Sequence, residues 1–109
     1  MQKKFRLKKN YDFQRIINGK QKIHNNSFVI YYANNSLDHC RFGISVSKKN
    51  ANAVNRNRIR RQIRSMLQKV WCLKNNNKDI IILVRAPYLK KEYSKNQNLL
   101  DILLKKIIK

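Results

Sequence analysis

Residues 41–49 read Arg41-Phe42-Gly43-Ile44-Ser45-Val46-Ser47-Lys48-Lys49, and seven residues later comes Arg56-Asn57-Arg58-Ile59-Arg60-Arg61-Gln62-Ile63-Arg64. In the first stretch Phe42, Ile44 and Val46 alternate with Arg41, Gly43, Ser45 and Ser47, a period of two that predicts a strand with one core face and one small, polar face. That polar face leaves space above it for either a close-packed layer or a ligand. In the second stretch the period changes: Ile59, Ile63, Met66, Leu67 and Val70 form a helical apolar stripe, while Asn57, Arg61, Arg64 and Gln68 follow the opposite side. Asn52 is placed to cap this helix, which the pattern carries to about Cys72. Beyond it, Asp79-Ile80-Ile81-Ile82-Leu83-Val84-Arg85 is a continuous apolar run ending at Ala86-Pro87, the pattern of a central strand covered on both faces. Strand, helix and strand predict a βαβ unit and an α/β chain.

The flanking segments add elements around that unit. Tyr11 to Gly19 reads as a short helix with Asn10 as its N-cap, Gly19 as its stop, and Phe13 and Ile17 on one face. Phe28 to Ala33 is rich in β-branched and aromatic residues and ends at Asn34-Asn35, which predicts a strand and a turn. Gln97 to Ile108 repeats apolar residues at 100, 103, 104 and 107, a closing amphipathic helix with Lys105, Lys106 and Lys109 favourably placed at its C-terminal end. The asparagine clusters at 25–26, 34–35 and 75–77 fall between these segments and read as turns. No linker or internal repeat divides the 109 residues, so a single domain over 1–109 is expected.

Charge narrows the function. The chain carries 26 Lys and Arg against 5 Asp and Glu, a formal charge of +21 that resists compaction unless anions offset it. Five arginines within nine residues exclude a membrane helix and point to phosphate as the natural partner. Cation density extends back through Ser47-Lys48-Lys49 to the junction of a strand with a helix N-terminus, already a favourable place for an anion. A hydrophobic fraction of 42% separates the chain from a disordered basic tail. The inference reaches polyanion binding; it does not distinguish RNA from DNA.

Independent catalysis is not supported by the side-chain inventory. Asp12, Asp38, Asp79, Glu92 and Asp101 are dispersed, with no pair at the spacing a metal-dependent nuclease uses. A GxSxG elbow, a phosphate-binding glycine loop and a Cys/His dyad are missing. Cys40, Cys72, His24 and His39 stand apart, which predicts buried thiols in a reducing compartment and no metal site. Neither a signal-peptide core nor a run of membrane-spanning length is present, so the cytoplasm is the expected location. Phe13 and Tyr31 have two readings: aromatics at such positions are more often core, but beside an open Gly43/Ser45/Ser47 face they can stack on unpaired nucleotides.

The combination Phe42-Gly43-Ile44-Ser45-Val46-Ser47-Lys48-Lys49, then Ala53-Val54-Asn55-Arg56-Asn57-Arg58-Ile59-Arg60-Arg61 and Ile63-Arg64, resembles the signature of the bacterial ribonuclease P protein subunit family. The likeness extends to Leu7-Lys8-Lys9-Asn10-Tyr11-Asp12-Phe13, to Asn26-Ser27-Phe28-Val29-Ile30-Tyr31 and to Arg85-Ala86-Pro87. It implies an α+β sandwich of the ribosomal protein S5 domain 2-like type, with a sheet of about four strands, three helices, an extra short strand around Gln21 to Asn25, and a left-handed βαβ crossover against the usual preference.

The resemblance also implies partners and roles. A catalytic RNA subunit would perform the Mg²⁺-dependent hydrolysis that removes the 5′ leader of precursor tRNA, with Mg²⁺ held mainly by RNA and no obligate protein partner. Lys48, Lys49, Arg56, Asn57, Arg58 and Arg61 would face the catalytic RNA. Phe13, Ile17, Tyr31 and Ser45 would line the leader cleft, with Arg60 and Arg64 on it or at its rim. Two positions depart from the family pattern: Ile17 replaces a frequent second aromatic, which weakens stacking, and Ala51 replaces a common glycine, which stiffens or shifts the loop into the helix. A ribosomal protein that only stabilises folded RNA is the principal alternative. A helix-turn-helix DNA binder would need a helix where the pattern gives a strand, and a membrane-surface helix would need an apolar face free of the core.

Overall fold

The computed structural model describes residues 3–69 and 77–107. The expected βαβ unit is present as β3 (Arg41–Val46), α2 (Ala53–Gln68) and β4 (Lys78–Val84), with β3 and β4 parallel neighbours in the register Phe42 to Ile80 and Ile44 to Ile82. Asn52 caps α2, its side chain accepting from the Asn55 N–H at 2.9 Å. Val70 and Cys72, which the pattern placed at the end of this helix, and Asn75-Asn76 lie outside the described residues. A strand directly before α2 rules out the helix-turn-helix arrangement.

Around this unit stand α1 (Asn10–Asn18), β1 (Lys22–His24), β2 (Phe28–Asn34) and α3 (Tyr93–Ile107). The strand order is β1-β2-β4-β3, antiparallel except between β3 and β4. Because β4 lies inside the sheet, its successive residues feed two cores, which explains its unbroken apolar run. Ile80, Ile82 and Val84 join Phe28, Ile30 and Phe42 beneath Ile59, Ile63, Met66 and Leu67 of α2 and Leu100, Leu103 and Leu104 of α3. Ile81 points the other way, to Ile16 of α1 and Leu7, with Phe13, Ile17, Tyr31 and Leu83 half-buried around them.

Several boundaries differ from expectation for identifiable reasons. Asn10 lies inside α1; Lys9 occupies the cap position and makes no side-chain cap bond. Gly19 has an ordinary φ of −68°, and the left-handed residue ending this region is Lys20 at φ 62°. The closing helix starts at Tyr93, before the expected Gln97, because its first turn is anchored by a polar residue that hydrophobic patterning passes over. Buried Asn96 donates to the Tyr88 carbonyl at 3.1 Å and accepts from the Ser27 hydroxyl at 2.7 Å. Ala51 needs no glycine: its backbone has no positive φ, and its side chain packs on the larger core.

Candidate RNA interface

The N-terminal segment builds one wall of the interface. The Leu7 N–H donates to the Phe42 carbonyl at 2.9 Å, and Arg6 pairs with Phe42 as a parallel bridge, so this segment covers the otherwise open edge of β3. Phe5 packs edge-on against the His39 ring at 5.3 Å, and His39 Nε2 lies 3.0 Å from the Lys4 carbonyl oxygen. These ties bring Arg6 to Arg60 and Arg64 of α2. The three arginines share a cleft with Leu7, Phe13 and Gly43.

Charge in this cleft is uncompensated. Burial, and then the charges of Arg6 and Arg60, push the Arg64 guanidinium below its ordinary pKa. Arg6 Nε is buried without a hydrogen-bond partner. Among the described residues every ion pair involves Asp12, Asp38 or Asp79, and none reaches α2. An anion entering the cleft would relieve both the repulsion and the orphaned donor. Arg6 was absent from the sequence-derived site; in sequence it is one cation of a basic leader, and only the β3 bridge places it.

The remaining cations of α2 spread over its outer surface. Asn57, Arg58 and Arg61 are exposed, as are Lys48 and Lys49 in the turn before the helix. Arg56 is half-buried and donates to the Ala51 carbonyl at 2.9 Å, so it also fastens the entry loop. Asn57 accepts from Arg60 at 3.2 Å, linking the outer surface to the cleft side. Tyr88, whose hydroxyl is pushed up to about 12 mainly by burial, donates to Gln62 at 2.8 Å and braces the far side of α2.

The expected aromatic platform divides into two neighbouring rows of the sheet. Tyr31, Ile81 and Gly43 lie abreast, as do Val29, Leu83 and Ser45. α1 covers the first row, so Phe13, Ile17 and Tyr31 are half-buried against the smaller core and are both packing and surface residues. Of the two alternatives for the Gly/Ser face, Gly43 takes the close-packed layer: it is buried beneath the Phe13 ring. Ser45 is exposed and does not share the Phe13 cleft. It lines a separate hollow with Val29, Ser47, Leu83 and Arg85. Lys22 Nζ stands 5.7 Å from the centre of the Tyr31 ring, close enough for a cation–π contact.

Two acidic residues, Asp12 and Asp79, meet at the other end of these strands. Asp79, with its side chain fully buried, accepts from Arg15 at 2.7 Å, from Arg41 at 2.7 and 2.8 Å and from Asn35 at 2.8 Å. Asp12 stands 3.7 Å from Arg15 and 3.8 Å from Arg41. Asp12 and Asp79, distant in sequence, are thus neighbours, but their role is to fasten α1 to the sheet. Among the described residues no three His, Cys, Asp or Glu side chains stand together as a metal site.

Comparison with known proteins decides the family. The ribonuclease P family model matches residues 1–108. This chain belongs to the ribonuclease P protein family. It is 47% identical over 108 residues to the ribonuclease P protein component of Mycoplasma capricolum subsp. capricolum, spanning 98% of this chain and 99% of that protein. The solved Staphylococcus aureus RNase P protein superposes with a TM-score of 0.84 at 44% identity, covering 94% of each chain. The RNase P protein from Thermotoga maritima superposes with a TM-score of 0.83 at 26% identity, covering 93% of this chain and 96% of that one. A Staphylococcus aureus RNase P protein mutant described as having defective mRNA degradation activity has a TM-score of 0.87 at 43% identity, covering 96% of this chain and 89% of that one. The family membership selects ribonuclease P over the ribosomal alternative.

Proposed function

We propose that the chain, as the protein subunit of ribonuclease P, binds the catalytic RNA and the 5′ leader of precursor tRNA and assists removal of that leader. The carrying observation is the partition of cations on α2 and in the turn before it. Lys48, Lys49, Arg56, Arg58 and Arg61, with Asn57 among them, present an outer surface for folded RNA, while Arg60 and Arg64 meet Arg6 and Phe13 in a cleft suited to a single strand. In this reading the cleft arginines hold leader phosphates, and Phe13, with Ile17 and Tyr31 beside it, supplies apolar contact. Ser45 and Arg85 extend the path along the open row of the sheet.

Hydrolysis is assigned to the RNA subunit, which would also hold Mg²⁺. Supporting this, the two carboxylates that do come together, Asp12 and Asp79, are engaged by arginines. No helix among the described residues is long and apolar enough to cross a membrane, and we place the work in the cytoplasm, where precursor tRNA is processed. Reconstitution tests the proposal: protein plus the matching catalytic RNA and Mg²⁺ should release the 5′ leader at lower ionic strength than RNA alone requires, because the protein supplies cations for phosphate. The RNA-free protein should give no specific leader removal; if it does, the division of labour is wrong.

A further inference from the structure

Gly43 is the one glycine in the sheet, and its backbone does not require one, since no described glycine has a positive φ. Glycine weakens a strand unless something else approaches closely. Here the close neighbour is a ring. A Cβ at position 43 would lie 2.5 Å from Phe13 Cζ and 2.6 Å from Cε1, whereas Leu7 Cβ, at 3.5 Å, is at ordinary contact distance. The missing side chain therefore forms a notch, and the Phe13 ring from α1 occupies it. The flanking row reinforces the point: Tyr31 and Ile81 are large, and only the β3 position is empty.

We propose that Gly43 is a positioning residue for Phe13, seating its ring at the depth where it shares the cleft with Arg6, Arg60 and Arg64; this rests on the leader-binding reading above. The atoms a methyl group would meet are the far end of a side chain that can swing, not backbone. Alanine at 43 would thus displace the ring by roughly 1 Å, to reach an ordinary carbon–carbon separation. The cost falls on ligand geometry and not on the fold. Alanine also restricts the unfolded chain and suits a strand better than glycine, so global stability should hold or rise slightly. A merely structural glycine would give the opposite pattern.

The test uses the reconstituted holoenzyme with Gly43→Ala, Phe13→Ala and the double variant, reading affinity for precursor and for mature tRNA. Gly43→Ala should reduce the precursor-over-mature ratio by about three- to tenfold, a part of what a full base–aromatic stack contributes. The double variant should lose no more than Phe13→Ala alone, because Gly43 acts through the ring. A ratio unchanged in Gly43→Ala but reduced in Phe13→Ala overturns the positioning role while leaving the leader reading intact. A ratio unchanged in Phe13→Ala removes the leader reading, and this proposal with it. Should Gly43→Ala melt far below the parent, Gly43→Ala with Phe13→Leu decides: recovered stability identifies the ring as the obstruction, and no recovery overturns the proposal.

Discussion

Asp79→Asn perturbs the ion-pair end of the sheet without touching the proposed RNA-binding surface. The Asp79 side chain has no exposed surface and accepts four hydrogen bonds, two from Arg41 and one each from Arg15 and Asn35. An amide has one acceptor oxygen, with two lone pairs, and its NH₂ would face guanidinium donors. Breaking a buried pair by removing one partner costs about 3–5 kcal/mol. Here the Arg15 and Arg41 side chains are 46% and 25% exposed and Asp12 is at hand, so both can find water or another carboxylate. A cost below that range, ~2–3 kcal/mol, follows, or roughly 10 °C in melting temperature for a protein of this size. Burial alone would raise the Asp79 carboxyl, but the hydrogen bonds from Arg41, Asn35 and Arg15 and the Arg41 charge hold it below its ordinary value. A depressed folded pKa stabilises above the unfolded value, near ~3.9, and that stabilisation is lost as pH falls through the folded one. The gap between parent and variant should be full at pH 5–7 and close below about pH 4, measured by thermal or urea unfolding with sulfate present to offset the net charge. A gap under ~0.5 kcal/mol at pH 7, or one unchanged at pH 2, would refute the reasoning.

Arg58→Ala should weaken assembly with the catalytic RNA and flatten the log–log salt dependence by about one, with melting unchanged, whereas Arg56→Ala should also lower stability because it releases the Ala51 carbonyl. Salt-titrated binding alongside circular dichroism distinguishes them, and an unfolded Arg58→Ala protein would contradict the contact assignment. Ile17→Phe should raise the precursor-over-mature affinity ratio, since position 17 is one turn from Phe13 on the same face of α1; parallel shifts in the two affinities would count against the aromatic cleft.

Periodicity made the βαβ unit and the apolar stripe of α2 legible, because burial there follows simple periods of two and 3.6. It misplaced the start of α3, where Asn96 and Ser27 form a buried polar contact that no hydrophobic pattern marks. It leaves the occupant of the Gly43 face open between a packed layer and a ligand, because alternation gives the face a residue points to but not what another element lays upon it; the Phe13 ring of α1 is that layer. It missed Arg6 for a related reason: among many cations, only tertiary placement distinguishes one with a buried, unpartnered nitrogen. The family resemblance supplied Phe13, Tyr31 and Ser45 together, and the structure separates Ser45 into the adjoining row.

The scarcity of carboxylates gains meaning from where they sit. The two that reach arginines, Asp12 and Asp79, pair with Arg15 and Arg41 at the end of the sheet away from Ser47 and the α2 entry, and Asp38 pairs with His39. On the reading proposed above, a carboxylate on α2 would neutralise the cations that meet phosphate and would add a desolvation cost on binding. The same placement secures α1, since Arg15 lies two residues from Phe13 and ties their helix to β4. Intramolecular ion pairing thus holds the helix that carries Phe13, and among the described residues none engages the cations of α2. On the proposed reading, bound RNA would relieve the self-repulsion that remains in the free protein, so part of the affinity for RNA would be the removal of an unfavourable field within the protein itself.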